Sequence, residues 1–161
     1  MPRVLVIGYG NPLRADDGVG WHAARALERA VRDDEIQVLA CHQLTPDLAA
    51  NLSITQTVIF IDARCGGEPG SWTSQAVRPQ TVEPGSFSHS CDPAALLAWA
   101  RSLYGNSPQA MLISVCGESF AYGEGLSASV LARMPALLTR MRKIIAQARQ
   151  GLGLQEEGLD A

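Results

Sequence analysis

Continuous apolar runs alternate along this chain with segments of mixed character, and the runs predict strands buried on both faces of a sheet. They cover residues 4–7, 57–61 and 111–116. Short aliphatic and β-branched runs bounded by glycine or polar residues are typical of central strands in a parallel sheet. Residues 36–41 and 72–77 alternate instead between apolar and polar or small positions, which predicts half-exposed strands. We expect the second of these to be an antiparallel edge strand.

The segments between the predicted strands have the periodicity of helices. Apolar residues recur every third or fourth position and predict helices over about 18–32, 45–53, 92–104 and 127–150. Pro135 lies inside the last of these segments and removes one backbone donor. We therefore expect a bend or a fresh helix start at this proline.

The alternation of strands and helices predicts a single three-layer α/β/α domain with a mostly parallel sheet. A chain of 161 residues can bury one substantial core, and neither an internal repeat nor a low-complexity linker divides it. We assign residues 1–151 to this domain. Residues 152–161 lack a packing pattern, and we expect them to form a flexible C-terminal tail.

Composition and charge narrow the function classes. The chain is 47% hydrophobic and 18% charged, and its formal net charge is −3. Without a basic surface, nucleic-acid binding is disfavoured. No apolar run approaches the ~20 residues that span a bilayer, and the first residues enter a strand without the architecture of a signal peptide. We expect a cytoplasmic protein that does not bind membranes.

The cysteines do not form a recognisable metal or redox motif. Cys41, Cys65, Cys91 and Cys116 are scattered without a C-x-x-C pair, which argues against a zinc ribbon or a thioredoxin-type site. We expect reduced thiols that pack as small apolar residues. Cys91 lies close to His89 in the sequence, so a thiol–imidazole site is a minor alternative for this pair.

The candidate chemistry lies where strands end. The first buried run stops at a glycine-punctuated loop that carries Asp16 and Asp17, and the run at 57–61 is followed directly by Asp62. His89 lies in a loop that precedes a helix. Open α/β sheets bind ligands at the carboxyl ends of their strands, so Asp17, Asp62 and His89 could converge at one rim of the sheet.

Two carboxylates and one imidazole form a mixed set of oxygen and nitrogen donors, which suits a borderline divalent cation such as nickel, zinc or cobalt. Three protein ligands would leave positions open for water or for a metal already held by another molecule. Each acid also has a structural interpretation, since an acid after a strand is commonly a helix cap. Asp16 is the better candidate for a cap or surface acid than Asp17.

Other reaction classes find weaker support. The glycines of segment 8–20 follow a strand but do not spell G-x-G-x-x-G, and the intervening aspartates would repel a pyrophosphate. A serine nucleophile elbow, G-x-S-x-G, is absent, so the serines beside His89 do not indicate a hydrolase triad. No other candidate site residues accompany His22 and His42, and we expect both to be solvated.

Several motifs together resemble a known family. Residues 6–20, VIGYGNPLRADDGVG, resemble the opening signature of the nickel-iron hydrogenase maturation endopeptidases. The resemblance continues at 58–63, at Ser88-His89 before a helix, and at 117–118 followed by 125–127. These segments span most of the chain in the family's order.

The resemblance implies an endopeptidase that removes a short C-terminal extension from a hydrogenase large-subunit precursor after nickel insertion. It also implies that the precursor supplies the nickel and that Asp17, Asp62 and His89 contact it, with no separate nucleophile. The second acid of the first motif is often glutamate in the family. Asp17 is one methylene shorter, which keeps Asp16 open as a substitute.

Residues 41–45, CHQLT, depart from relatives that carry an acid and glycines after the second strand. This segment resembles members that serve bidirectional, NAD-linked hydrogenases, and we expect it to shape substrate choice rather than chemistry. Two alternatives remain beside the peptidase. One is a nickel-binding accessory protein that does not cleave, and the other is a nucleotide-binding α/β domain that uses the segment 8–20.

Overall fold

In the computed structural model, which describes residues 2–81, 91–154 and 156, five strands form one sheet. The strands are β1 (Val4–Tyr9), β2 (Ile36–Cys41), β3 (Thr57–Arg64), β4 (Trp72–Val77) and β5 (Gln109–Cys116). Their order across the sheet is β2-β1-β3-β5-β4. β4 is antiparallel to β5, and all other pairs are parallel. The mostly parallel sheet with one antiparallel edge strand is therefore confirmed.

Helices cover both faces of this sheet. They are α1 (Val19–Ala30), α2 (Leu48–Ser53), α3 (Pro93–Tyr104) and α4 (Ala128–Arg149), with a short 3-10 helix at Ala15–Gly18 before α1. Each α-helix matches a predicted segment, although α1 ends earlier than predicted because Val31 is extended, with ψ 123°. No helix in the described part of the chain is long and apolar enough to cross a membrane.

Two separate apolar cores explain why the central strands are apolar throughout. Val4 and Val6 of β1 pack with α1 and α4, whereas Leu5 and Ile7 pack with α2 and α3 on the other face. All four side chains have no exposed surface. Successive side chains of a strand point to opposite faces, so a strand between two helical layers must be apolar at every position. The predicted three-layer architecture follows from this arrangement.

Pro135 lies within α4 and does not divide it. The helix is continuous from Ala128 to Arg149, so a fresh start at the proline is wrong. A proline removes one backbone hydrogen bond from a helix. Met134 and Leu137 on either side of it pack into the core, and this burial holds the helix against the sheet.

Part of the C-terminal tail contacts the domain. Leu154 is half-buried and packs against the core formed with α1 and α4. The carboxylate of Glu156 accepts a hydrogen bond of 3.0 Å from the backbone N–H of Ala76 on β4. The flexibility expected for residues 152–161 stays a prediction.

We predict that Leu154→Ala lowers the free energy of unfolding by about 1 kcal/mol, since burial of a whole leucine contributes about 1.5–3 kcal/mol. For a chain of this length the melting temperature should fall by about 2–4 °C. Leu152→Ala is the matched control, because Leu152 is 55% exposed. Melting followed by circular dichroism compares the two variants. Equal melting temperatures would contradict the packing of Leu154.

Candidate functional site

Parallel pairing brings the ends of β1 and β3 to one edge of the sheet. Gly8 of β1 lies beside Ile61 of β3, so Tyr9 and Asp62 follow at the same level. Asp17 reaches this edge from the 3-10 helix that follows β1. Tyr9, Asp17 and Asp62 all line an open cleft of about 600 Å³. The structure thus brings together the two acids that the sequence placed at the rim.

Glycines let the backbone segments at this edge approach closely. A Cβ atom at Gly10 would lie 1.9 Å from the carbonyl oxygen of Asp17, and one at Gly20 would lie 2.2 Å from that of Ile61. Gly10 also has φ 144°, a conformation that favours glycine. These glycines therefore serve close packing between β1, α1 and β3, and they do not leave a free cradle for a phosphate.

Asp17 is half-buried and held by the preceding loop. Its Oδ2 accepts a hydrogen bond of 2.9 Å from the backbone N–H of Asn11. The side-chain Oδ1 of Asn11 accepts in turn from the N–H of Leu13 at 2.9 Å, which fixes the loop. This arrangement orients one carboxylate on the wall of the cleft.

Asp62 is half-buried at the end of β3. Burial raises the pKa of its carboxyl to about 6, and the charge of Asp17 adds to the rise. Hydrogen bonds from the backbone N–H of Ala63, at 2.7 Å, and from the Tyr9 hydroxyl favour the carboxylate and oppose the rise. The net effect is a pKa of about 6 for Asp62, well above the usual value of an aspartate.

Tyr9 is a site residue that the sequence analysis did not single out. Burial raises the pKa of its phenol, and the charge of Asp62 raises it further, so the hydroxyl keeps its proton and donates it in the hydrogen bond to Asp62. The signal was present in the sequence. Tyr9 is the last residue of β1, beside the glycines of the first motif, and side chains at strand ends line sites in α/β folds.

Asp16 has a different environment from its neighbour. Its side chain is fully buried and accepts hydrogen bonds from four groups. The donors are the backbone N–H groups of Glu118 (2.8 Å), Ser119 (3.1 Å) and Ser127 (2.8 Å), and the Ser127 hydroxyl (2.7 Å). Asp16 is a structural acid, as expected, but the expectation of a surface position is wrong.

The hydrogen bonds to Asp16 keep its carboxylate charged. Burial alone would raise its pKa, but the bonds from Ser127 and from the amides of Glu118 and Ser119 hold the pKa below its ordinary value. Its oxygens are occupied within the loop from 117 to 127, and Asp16 does not line the cleft. This removes the support for Asp16 as a substitute ligand.

His42 and His22, which we expected to be solvated, differ in their exposure to solvent. His42 is exposed, but it lines the cleft, and its ring lies 6.4 Å from that of Trp21. His22 is half-buried, with its Nε2 buried and without a partner in the described part of the chain. Burial lowers the pKa of His22. Solvation is therefore wrong for His22, because α1 turns its ring towards the Trp21 ring, 5.0 Å away.

His89, the third predicted ligand, lies outside the described residues, as do the serines on either side of it. Cys91, two residues later, lines the cleft. Burial raises the pKa of the Cys91 thiol, and the charges of Asp92 and Asp47 raise it further. A raised pKa disfavours the thiolate that a nucleophilic cysteine needs. The thiol–imidazole alternative is therefore disfavoured from the cysteine side.

Within residues 2–81, 91–154 and 156, no three histidine, cysteine or acidic side chains are placed to hold a metal ion. Asp17 and Asp62 supply two carboxylates to the cleft. Further ligands would have to come from outside the described residues or from a bound partner. The segment from His42 to Pro46 forms another wall of this cleft, so the departure noted in the sequence lies beside the two acids.

We predict that Asp16→Ala lowers the free energy of unfolding by about 3 kcal/mol, because it leaves buried backbone donors without their charged acceptor. Asp17→Ala is the matched control, since it removes one partly exposed hydrogen bond from the neighbouring residue. Chemical denaturation measures both values. Equal losses of stability in the two variants would contradict the division of roles between these aspartates.

The contribution of Asp16 to stability should also depend on pH. The pKa of Asp16 is depressed in the folded protein, so its contribution is fully present above the unfolded pKa of about 4 and is lost as pH falls through the folded value. The stability difference between wild type and Asp16→Asn should therefore shrink as pH falls below about 4. Denaturation at several pH values checks this, and a difference independent of pH would contradict it.

Neither a family model nor a curated protein matches this chain, but solved structures do. The hydrogenase maturation protease HycI from Thermococcus kodakarensis is 22% identical, with TM-score 0.72 over 89% of this chain and 92% of that one. The maturating endopeptidase HybD from Escherichia coli is 24% identical, with TM-score 0.71 over 92% and 94%. A hydrogenase 2 maturation peptidase from a Thaumarchaeota archaeon is 24% identical, with TM-score 0.68 over 89% and 98%.

These similarities extend over nearly the whole chain in each direction. They agree with the resemblance found in the sequence motifs. The chain therefore has the fold of the [NiFe] hydrogenase maturation proteases.

Proposed function

We propose that this protein is an endopeptidase that removes the C-terminal extension of a [NiFe] hydrogenase large-subunit precursor after nickel insertion. The observation that carries the proposal is the meeting of Asp17 and Asp62 in one open cleft at the carboxyl edge of the sheet. The fold of the maturation proteases supports the reaction class.

The cleft suits a metal that arrives with the substrate. Asp17 and Asp62 supply oxygen donors that a borderline divalent ion accepts, and they leave coordination positions for groups of the precursor. We propose that Asp17 and Asp62 contact nickel seated in the precursor and that His89 is a third ligand. The position of Cys91 in the cleft, two residues after His89 in the sequence, supports the inclusion of His89. Cleavage would then depend on prior nickel insertion.

The chain's own groups favour hydrolysis without a covalent intermediate. The raised pKa of Cys91 argues against a thiol nucleophile. A divalent ion brought by the substrate can polarise the scissile carbonyl or activate water. We propose that Asp62, which accepts a hydrogen bond from the Tyr9 hydroxyl, contacts the ion or accepts a proton from water. Its pKa of about 6 supports a role in proton transfer.

The alternatives differ in their support. A nucleotide-binding role depended on the glycine segment, and the space around Gly10 and Gly20 is filled by backbone carbonyl groups. A nickel-binding accessory protein would use the same acids as the peptidase, so only a cleavage experiment separates these two. The cytoplasmic location expected from the sequence stays a prediction.

The first test is processing of purified nickel-loaded precursor, followed by mass spectrometry. We expect wild type to shorten the precursor, and Asp17→Ala, Asp62→Ala and His89→Ala each to reduce the rate at least about hundredfold, because changing even a residue that only supports a metal ligand costs about 10–100-fold. Asp34→Ala, which changes an exposed acid, is the matched control. Melting temperatures close to that of wild type should accompany the losses.

The metal dependence forms part of the same test. Metal-free precursor should remain uncut, and nickel added to the enzyme alone should not restore cleavage. Binding of the nickel-loaded precursor without any change in its mass would favour the accessory protein. Full activity of Asp62→Ala would remove this acid from the site.

We further predict that kcat/KM rises with pH through about 6, because cleavage requires the ionised form of Asp62 in the free enzyme. The hydrogen bond from Tyr9 lowers the pKa of Asp62, so Tyr9→Phe should move the rise to higher pH. A pH series of initial rates measures both effects. A profile that is identical in the wild type and in Tyr9→Phe would contradict this role of Tyr9.

A further inference from the structure

The outer side of β2 can be identified from its hydrogen bonds to β1. The backbone N–H of Gly10 donates to the carbonyl oxygen of Cys41 at 3.1 Å, and that of Val4 donates to Glu35 at 3.0 Å. In a parallel ladder, alternate residues of a strand bond to the same neighbour. Odd-numbered residues of β2 therefore bond to β1, and even-numbered residues direct their backbone groups away from the sheet.

The outward positions of β2 are Ile36, Val38 and Ala40. The N–H of Ile36 donates to the carbonyl oxygen of Asp33 at 3.0 Å. For Val38 and Ala40, nothing in the described residues accepts from the outward N–H groups. Open groups in this arrangement are the template to which an extended chain adds as a further strand.

β2 also lacks the features by which proteins usually protect an edge. Its sequence, IQVLAC, contains neither a charged residue nor proline, and every residue is half-buried. The opposite edge differs, because the carboxylate of Glu156 accepts from the N–H of Ala76 on β4. The chain thus occupies part of one edge with its own tail, whereas the described residues leave the edge of β2 open.

This open edge leads directly into the cleft. Residues 42–46 follow β2 without interruption and line the cleft together with Asp17 and Asp62. A strand advances about 3.3 Å per residue. An extended peptide paired with Val38 and Ala40 would therefore run along β2 towards the cleft that the two acids line.

We infer that the outer edge of β2 binds an extended segment of the precursor, next to its cleavage site, as an added strand. This inference rests on the proposed function, because the occupant is the substrate of the same site. Main-chain pairing presents the peptide backbone in an extended form and fixes its register against the cleft. Main-chain pairing does not select particular side chains of the peptide, so side-chain specificity would come from the walls of the cleft.

Val38→Pro tests the inference, since proline removes the outward N–H and leaves the ladder to β1 intact. Val38→Thr is the matched control, because threonine keeps the N–H and the branched side chain. With nickel-loaded precursor, Val38→Pro should raise KM about threefold to tenfold, the effect of one lost hydrogen bond. Its kcat should stay unchanged, and Val38→Thr should match wild type in both constants.

Three outcomes would overturn the inference. The first is a folded Val38→Pro variant with the KM of wild type. The second is a wild-type dimer that Val38→Pro dissociates in size-exclusion chromatography, which would assign the edge to a second copy of this chain. Absence of cleavage by the wild type is the third, and it would overturn the proposed function as well.

If Val38→Pro does not fold, amide hydrogen exchange tests whether the precursor adds as a strand to β2. In Asp62→Asn, mixed with nickel-loaded precursor, the N–H groups of Val38 and Ala40 should exchange at least about tenfold more slowly than in the free protein. Those of Leu39 and Cys41, which already face β1, should change little. Equal protection at all four positions, or protection at none, would contradict strand addition at this edge.

Discussion

The site depends on the close approach of three backbone segments, the end of β1, the 3-10 helix that follows it, and β3. Glycine at positions 10 and 20 is required because the carbonyl groups of Asp17 and Ile61 occupy the space that a side chain would need. Parallel pairing of β1 with β3 then sets the ends of both strands at one level. The two acids of the cleft are adjacent in space because of these packing constraints.

Asp16 and Asp17 are neighbours in the chain but have different surroundings in the structure. Asp16 satisfies four donors from the segment that precedes and opens α4, and so it ties that segment to the end of β1. Asp17, one residue later, turns to the cleft and accepts a single amide hydrogen bond. A 3-10 helix rotates successive side chains by about 120°, so adjacent residues point in different directions. The fold thereby buries the first carboxylate and leaves the second on the wall of the cleft.

The central strands and the acid that follows one of them could be predicted from the sequence. Strands buried on both faces produce continuous apolar runs, and Asp62 was visible as an acid that follows such a run. The partners of Asp16 were not visible, because Glu118 and Ser127 lie 102 and 111 residues away in the chain. Long-range contacts of this kind have no local pattern. For the same reason the contact of Leu154 with the core and the hydrogen bond from Tyr9 to Asp62 could not be predicted.

Contact of Asp17 and Asp62 with nickel can be measured directly by X-ray absorption at the nickel edge, on nickel-loaded precursor with and without the protein. We predict that the protein adds oxygen or nitrogen neighbours at about 2.0–2.2 Å, the range in which carboxylates bind a comparable divalent ion. A variant carrying both Asp17→Ala and Asp62→Ala should add fewer such neighbours. A nickel environment that does not change when wild-type protein binds the precursor would contradict contact between the two acids and the metal.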